Sequence, residues 1–410
     1  MASSDMSVVN IDMIENFTVH QETVQYVNST QPSEPLSVST SLFLTRLVVQ
    51  SYLVPIVVAC GIVGNIFNIV VLINPKMRTS TNVYLMSLAF SDSMYLLFCL
   101  TLSFLHCSNT SLPREAFMYI PHAKVLSDLF GNTAVWLTVW FTLERFVAVR
   151  MPMRGKAWCT VNKAKVAILV IFAASLINTF PEFFETQIVA TYVNNSVTYS
   201  CETTPFAETY SYQFGYYWWF VAIFTFTPLI LLAVFNSLLI KSVWQANRKR
   251  QILSQTRLTG EVQKQNKEQH RVTLMLISVV LIFLVCQTPQ AALLIYYSYV
   301  EGTNTPYATD TVRILGNICN LLVQINASVN FLLYSYFSSK FRKTFKHVIC
   351  ACWKKKTTNQ DSVIAIYSSY HRKSNSPTST LMTSTGSSCR SRMLEISAVK
   401  RGNMMKVQRV

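Results

Sequence analysis

Polar side chains that interrupt long apolar stretches are the residues of this sequence best suited to carry function. Asp92 lies within one such stretch, the pair Glu144-Arg145 lies at the end of another, and Asn65 and Asn330 lie in two more. Polar groups are costly inside a membrane and commonly mark functional sites there. The sequence contains no HExxH or paired CxxC pattern and no cluster of nucleophile, acid and base, so neither a metal site nor an enzyme is predicted.

The elements that position these residues are seven charge-poor stretches, each long enough for the roughly 20 residues of a membrane-spanning helix. They cover residues 47–74, 82–106, 120–149, 164–185, 214–244, 271–299 and 309–337. We therefore predict an all-α membrane protein with a seven-transmembrane helix bundle over residues 47–337. A short amphipathic eighth helix is expected over residues 338–352, where basic and aromatic residues are interleaved.

The charge distribution predicts how the bundle is oriented. Of the 410 residues, 51% are hydrophobic and only 13% are charged, yet the formal net charge is +16. A nucleic-acid-binding protein would combine such a net charge with a highly charged surface, so that class is excluded. Most Lys and Arg residues lie in the odd-numbered loops and the C-terminal segment, and most Asp and Glu residues lie elsewhere. The positive-inside rule then predicts a multi-pass protein of the plasma membrane with an extracellular N-terminus and a cytoplasmic C-terminus.

Four N-glycosylation sequons fall in segments that this topology places outside. Residues 1–46 are accordingly expected to form an extracellular glycosylated tail without a cleavable signal peptide. The sequons begin at Asn16, Asn28, Asn109 and Asn194.

The order of motifs along residues 47 to about 352 resembles the rhodopsin-like, or class A, G protein-coupled receptors. The motifs are Gly61-Ile-Val-Gly64-Asn65, Leu88-Ala-Phe-Ser-Asp92, Glu144-Arg145-Phe146, Pro228, Cys286-Gln-Thr-Pro289 and Asn330-Phe-Leu-Leu-Tyr334.

Several departures from the common pattern narrow this resemblance. A Trp, a Pro, a Tyr and a disulfide Cys are usual in the family where this sequence has Gln287, Phe331, Asn236 and Ile120. Together with residues 135–149 and 327–334, these departures make the sequence most similar to the invertebrate FMRFamide-type neuropeptide receptors.

The resemblance implies a cell-surface receptor that activates a heterotrimeric G protein through a rearrangement of its helices. In the resting state, Arg145 is expected to pair with Glu144. The residues implied in this switch are Glu144, Arg145, Phe146, Met153, Asn236, Phe283, Pro289, Asn330 and Tyr334.

A polar network deep in the bundle is also implied by the resemblance. Family members bind sodium in such a cluster, and this hard cation prefers oxygen ligands. Ala134 stands where the third helix often offers a hydroxyl group, so a hydrogen-bonded network without an ion is an equal alternative. No other cofactor is expected. The network residues are Asn65, Asp92, Asn326 and Asn330.

Cys201 lies in the second outer loop, where family members form a disulfide with the residue that is Ile120 here. Cys107 is the other cysteine near an outer loop, and the outside of a cell is oxidising. We therefore expect a Cys107–Cys201 disulfide, although a count of cysteines does not establish the pairing.

Two ligand classes of the family are disfavoured. Residues 309–337 contain no lysine for retinal, and Ser127 stands where amine receptors carry an aspartate. Acidic and aromatic residues near the predicted mouth instead favour a cationic, phenylalanine-containing neuropeptide of the FMRFamide or RFamide type. The residues expected to bind it are Ser127, Asp128, Glu182, Glu185, Glu202, Trp218, Trp219, Gln287, Gln290, Asn320 and Gln324.

Other interpretations remain open at this point. The ligand could be another peptide or a small molecule, and the protein could be a polytopic transporter, although no inverted repeats are visible. The tryptophans could belong to an interfacial aromatic belt rather than to a ligand site.

Residues 353–410 are rich in serine and threonine and are expected to form a disordered cytoplasmic tail. Phosphorylation by a receptor kinase would make this tail locally anionic and able to recruit arrestin, unless it is an inert spacer. Cys350 and Cys352 lie beside three lysines and are expected to be palmitoylated and to lie at anionic membrane lipid. The alternative for these two residues is a pair of free cytosolic thiols.

Overall fold

A computed structural model of the protein describes residues 40–106, 113–193, 196–253, 260–300 and 306–348. These residues form a bundle of seven long helices, which confirms the predicted fold class. The first four helices are Thr40–Leu72, Ser80–His106, Arg114–Arg150 and Val161–Thr179. The fifth joins Ser211–Tyr217, Trp218–Val221, Ala222–Phe226 and Thr227–Leu253, the sixth is Gly260–Val300, and the seventh joins Pro306–Ser328 and Asn330–Phe337.

Two shorter helices accompany the bundle. The loop helix, Pro152–Trp158, lies between the third and fourth membrane helices. The surface helix covers residues 339–348, within the predicted range of 338–352, whose last residues lie outside the described part of the chain. The end of the bundle that the predicted topology places outside the cell is called the outer end, and the opposite end is called the inner end.

Several helices extend beyond the predicted apolar stretches. The first begins at Thr40 instead of residue 47, the third at Arg114 instead of residue 120, and the sixth at Gly260 instead of residue 271. Apolar stretches mark only the part of a helix that needs a membrane, whereas helical hydrogen bonding continues into polar turns. The fourth helix instead ends early, at Thr179, and a 3-10 turn over Phe180–Phe184 follows.

The third helix differs from the others in polarity. Six of the described helices are long and apolar enough to cross a membrane, and the third is not among them. It packs against the second, fourth, fifth and sixth helices and buries the hydroxyl groups of Thr133, Thr138 and Thr142. Each hydroxyl donates a hydrogen bond to the carbonyl oxygen four residues earlier. Its central place in the bundle therefore explains how a polar helix is accommodated.

The first and seventh helices approach closely because small residues lie between them. A Cβ atom at Gly61 would collide with Ser328, and one at Gly64 would come within 3.0 Å of Cβ of Phe331. At this contact, the side-chain amide of Asn65 donates to the carbonyl oxygen of Ala327 at 2.9 Å.

An inner aromatic cluster, made of Phe67, Phe331, Tyr334, Phe341 and Phe345, attaches the surface helix to the bundle. The ring centroids of Phe67 and Phe345 are 5.5 Å apart, and those of Phe331 and Phe345 are 5.6 Å apart. Phe331, the residue in place of a proline, therefore joins three elements: the first helix, the seventh helix and the surface helix.

A two-stranded antiparallel hairpin connects the fourth and fifth helices, in addition to the predicted helices. Strand β1 is Thr186–Val193, strand β2 is Ser196–Thr203, and Ile188 lies opposite Cys201. The hairpin packs against the outer part of the third helix, where the rings of Phe117 and Tyr199 are 6.1 Å apart.

Candidate functional site

A cavity lies among the second, third, fifth, sixth and seventh helices. Part of its polar lining comes from predicted ligand positions on the third, sixth and seventh helices. The pairs on the sixth and seventh helices are three and four residues apart, which places each pair on one helix face. Six predicted ligand-binding residues line it: Ser127, Asp128, Gln287, Gln290, Asn320 and Gln324.

Gln324 gives the cavity an unsatisfied acceptor. Its side chain is 3% exposed, and its Oε1 atom has no hydrogen-bond partner. A buried polar atom without a partner costs about 1–3 kcal/mol. A donor on a bound ligand could satisfy this atom, so Gln324 is suited to recognise a polar ligand.

Three acidic residues form the outer carboxylate cluster: Asp128, which is partly buried, and Glu182 and Glu185, which are buried. The charge of Asp128 interacts with that of Glu185, and the charge of Glu182 interacts with both. Glu182 is 9% exposed, and its Oε2 atom has no hydrogen-bond partner. The 3-10 turn after the fourth helix brings Glu182 and Glu185 to the third helix, where Asp128 also lines the cavity.

Lys124 is the basic residue of this cluster, and sequence reasoning did not identify it as a site residue. Its Nζ atom lies 3.8 Å from Oε2 of Glu185, and both side chains are nearly inaccessible to solvent. Lys124 precedes Asp128 by four residues on the third helix, a spacing that brings side chains together. That spacing was the available signal, but the partner Glu185 lies on another element.

The structure places three further predicted ligand residues away from the cavity lining. Glu202 lies on β2, where one of its carboxylate oxygens is 3.3 Å from the hydroxyl group of Ser200. Trp219 is 57% exposed, and its ring nitrogen donates to Asn178 on the fourth helix at 3.2 Å; Trp218 is also exposed. These tryptophans have the position of an interfacial belt.

Three residues of the predicted polar network, Asp92, Asn326 and Asn330, meet at the lower end of the cavity. The amide of Asn330 donates to Oδ2 of Asp92 at 2.7 Å, and Asn326 lines the same space. Asn65 belongs to the neighbouring contact between the first and seventh helices. Asn330 faces Asp92 with its amide nitrogen, and Ala134 has no side-chain oxygen, so these residues fit a hydrogen-bonded network better than a sodium site. Sodium binding remains a prediction.

At the inner end, Glu144 is held by two donors. Nη2 of Arg145 lies 2.8 Å from Oε1 of Glu144, and the hydroxyl group of Ser80 donates to Oε2 at 2.5 Å. Ser80 lies at the start of the second helix and was not predicted as a site residue. The Cys159 thiol lies 3.8 Å from the backbone oxygen of Glu144, and burial and the charge of Glu144 raise the pKa of this thiol.

The remaining switch residues lie in different environments. Phe283 packs with Val139, Leu232 and Val280 at the lower end of the cavity, and Pro289 lies inside the sixth helix. Met153, on the loop helix, is 84% exposed. The other three are within the bundle, where Phe146 meets the ring of Phe235 and the side chains of Asn236 and Tyr334 are buried.

Several predicted modification sites lie outside the described residues, and they remain predictions. Cys201 is on β2, but its expected disulfide partner Cys107 is not described. Within the described ranges, no group of three or more His, Cys, Asp or Glu residues could hold a metal ion. The sites outside these ranges are Cys107, Asn16, Asn28, Asn109, Asn194, Cys350 and Cys352.

The chain matches the sequence model of a family described as 7 transmembrane receptor (rhodopsin family) over residues 64–334. This match covers more than half of the chain and includes every membrane helix at least in part.

Individual relatives are similar in sequence. The chain is 30% identical over 313 residues to the FMRFamide receptor of Drosophila melanogaster, covering 72% of this chain and 52% of the relative. It is 28% identical to the sex peptide receptor-related protein 2 of Caenorhabditis elegans, covering 74% of this chain and 72% of the relative. It is 25% identical to the thyrotropin-releasing hormone receptor of Mus musculus, covering 83% of this chain and 87% of the relative. The chain thus spans about half the length of the fly receptor.

Proposed function

This chain belongs to the rhodopsin family of seven-transmembrane receptors, as the motifs predicted, and on that premise we propose that it is a neuropeptide receptor that activates a heterotrimeric G protein. It is a multi-pass membrane protein, and members of this family are receptors rather than enzymes. The proposed ligand is an extracellular cationic peptide of the FMRFamide or RFamide type, in keeping with the name of the fly relative.

The observation that carries this proposal is that Asp128 both lines the cavity and belongs to the outer carboxylate cluster. Acidic side chains withdrawn from water favour a cationic group that can pair with them. The amide side chains deeper in the cavity offer both donors and acceptors to a peptide backbone. A peptide that carries a positive charge matches both parts.

The proposed switch connects this cavity to the inner end. Phe283 and Asn330 line the lower part of the cavity, and their helices continue towards the inner end. A ligand that favours a different packing of the sixth and seventh helices shifts the receptor towards that state. Breaking the contacts of Glu144 then frees Arg145 and opens the inner end to a G protein, with exposed Met153 as a contact.

We further propose that the protein resides in the plasma membrane with its N-terminus outside. The basic inner segments favour this orientation. The C-terminal tail would be phosphorylated by a receptor kinase and bound by arrestin, and acylated Cys350 and Cys352 would hold the adjacent segment at membrane lipid.

The test is ligand-stimulated nucleotide exchange on heterotrimeric G proteins in membranes that contain the full chain. RFamide peptides should stimulate exchange, and Glu182→Gln or Glu185→Gln should lower their potency by about tenfold because a charged pair is lost. Gln187→Glu, on the exposed hairpin, is the control for a change of local charge. Unchanged potency in both carboxylate variants at normal surface expression would contradict the cavity assignment.

A further inference from the structure

We propose that Ser127 and Gln324 bind a primary carboxamide, the group with which a C-terminally amidated peptide ends. Together with Cys99, which contacts both of them, these residues form what we call the amide subsite. This inference rests on the proposed function, and it names the chemical group of the ligand that the cavity recognises and the side chains that select it.

The amide subsite joins three helices inside the cavity. Cys99 on the second helix, Ser127 on the third and Gln324 on the seventh all line the cavity, and each of them is at most 3% exposed. The Cys99 sulfur lies 3.5 Å from the hydroxyl oxygen of Ser127, and the thiol also interacts with the side chain of Gln324. Because both polar side chains reach the same thiol, they border one small space.

The protein uses the hydrogen-bonding groups around this space only in part. Oε1 of Gln324 has no hydrogen-bond partner, and a buried acceptor without a partner is costly. The hydroxyl group of Ser127 is paired with a thiol, which is weak both as a donor and as an acceptor. A ligand that offers a donor to Gln324 and an acceptor to Ser127 therefore gains free energy at this place.

A primary carboxamide has the two groups that this space needs. Its nitrogen donates two hydrogen bonds, and its carbonyl oxygen accepts them. In the proposed complex, the nitrogen donates to Oε1 of Gln324, and the carbonyl oxygen accepts from the hydroxyl group of Ser127. A methyl ester keeps the carbonyl oxygen but lacks the donor, and a carboxylate offers acceptors only. Either of these groups leaves Oε1 of Gln324 without a partner.

The charge of the cavity lining also favours a neutral group over a carboxylate. The described residues that line the cavity include no Lys, Arg or His. Lys124 lies one turn nearer the outer end, and its ammonium group faces Glu185. A carboxylate at the amide subsite would be withdrawn from water without a paired cation, which is costly. The subsite therefore distinguishes an amidated peptide from the free acid both by its donor and by its charge.

The residue that carries the carboxamide would meet apolar side chains. Val279 and Phe283 on the sixth helix and Val323 on the seventh line the same cavity. Burial of an aromatic ring against such side chains is favourable, and a neighbouring ring adds an aromatic contact. A peptide that ends in an amidated aromatic residue therefore fits both the polar and the apolar part of this lining.

The test uses the purified full chain in lipid nanodiscs and three forms of the dipeptide Arg-Phe, which end in a primary amide, a methyl ester or a free carboxylate. The readout is the dipeptide concentration for a half-maximal rise in the midpoint of thermal unfolding. Wild type should bind the amide about tenfold more tightly than the ester, because the ester lacks one donor. The preference for the amide over the free acid should be about 100-fold or more, because the acid adds a buried charge.

Variants at the subsite assign this preference to particular side chains. Gln324→Leu removes the unpaired acceptor, so the preference for the amide over the ester should fall from about tenfold to less than about twofold. Ser127→Ala should weaken the amide and the ester equally, because both carry the carbonyl oxygen. The matched control is Asn320→Leu, which removes another amide side chain of the cavity one turn away on the same helix and should leave the tenfold preference unchanged.

Gln324→Met serves as a second variant without the acceptor if Gln324→Leu is not monodisperse. The proposal is overturned if wild type does not prefer the amide to the ester, or if the variants at Gln324 keep that preference. It is also overturned if Asn320→Leu loses the preference as fully as Gln324→Leu, or if the amide stabilises none of the proteins.

These outcomes are separable from failure of the proposed function, which nucleotide exchange on G proteins measures. A receptor that RFamide peptides activate, but whose preference for the amide does not depend on Gln324, retains the proposed function and loses only the amide subsite. A receptor that selects the amide through Gln324, but that no peptide activates, loses the proposed function and retains the subsite.

Discussion

The two charged sites at opposite ends of the bundle differ in how their carboxylates are satisfied. At the inner end, Glu144 accepts from both Arg145 and Ser80, at 2.8 and 2.5 Å. At the outer end, three carboxylates share Lys124, whose ammonium group is 3.8 Å from Glu185. Both carboxylate oxygens of Glu144 thus have a donor within the protein, whereas Oε2 of Glu182 at the outer end has none.

This difference indicates where ligand binding would gain free energy and where activation would cost free energy. A ligand can shift a conformational equilibrium only by its difference in affinity for the two states. In the proposed mechanism, the ligand gains affinity at the outer site, and activation breaks the inner contacts of Glu144. The following changes test this division, starting with the largest expected effect.

The replacement Arg145→Ala removes the group that the inner contacts restrain. We expect ligand-stimulated nucleotide exchange to fall about 100-fold or more, because a buried charged contact of the active state is lost. Binding of a labelled peptide should remain within a few-fold of wild type, since Arg145 lies at the other end of the bundle. An equal loss of binding and exchange would contradict the separation of the two sites.

The inner aromatic cluster should carry stability rather than ligand recognition. Phe331→Ala removes a ring that touches three elements, and such a change in a packed core costs about 3–5 kcal/mol. We therefore expect a clear drop in the thermal midpoint of the purified receptor. Leu332→Ala is the matched control, because that neighbouring side chain is exposed on the bundle surface. Similar drops for the two variants would show that the cluster is not a special contact.

The hydroxyl group of Ser80 should stabilise the resting state. A hydrogen bond to a charged group contributes about 1.5–3 kcal/mol, so its removal in Ser80→Ala should raise basal nucleotide exchange several-fold. Ser93→Ala removes a hydroxyl group of the same helix that bonds only to its own backbone, and it should leave basal exchange unchanged. Lower or unchanged basal exchange in Ser80→Ala would mean that Ser80 does not restrain Glu144.

The smallest effect is expected at the lipid-facing rim. Trp219→Phe keeps an aromatic ring and removes the hydrogen bond to Asn178, so peptide potency should change by less than about twofold, as for an interfacial residue. The measurement is the concentration of peptide for half-maximal exchange. A tenfold loss would extend the ligand site beyond the cavity, to the surface between the fourth and fifth helices.

Much of the cavity could be predicted because helical spacing and motif position constrain it. Ser127 stands at the position where amine receptors carry an aspartate, Asp128 is next to it, and Gln287 and Gln290 flank Pro289. Contacts between distant segments were less accessible. Ser80 and Glu144 are separated by 64 residues, and nothing in either local sequence indicates their hydrogen bond. The partnership of Lys124 with Glu185 depends likewise on how the 3-10 turn after the fourth helix meets the third helix.

Helix ends and the polarity of the third helix were beyond the reach of apolar patterning for a different reason. Hydropathy reports the cost of contact with lipid, and the third helix avoids that contact because other helices surround it. The early start of the sixth helix at Gly260 has the opposite cause, since its first turns are polar and need no membrane. Both features depend on surroundings that a single segment does not encode.

The close contact between the first and seventh helices has a consequence for the order in which the receptor is made. A chain emerges from the ribosome N-terminus first, so the first helix enters the membrane long before the seventh exists. Until then, Asn65 lacks the carbonyl group of Ala327, and Phe67 lacks the ring of Phe345. A polar group left unsatisfied in lipid is costly. Every nascent or truncated chain that ends before residue 327 therefore leaves the amide of Asn65 without this acceptor. Only the seventh helix supplies the missing acceptor, so the first helix depends on completion of the bundle.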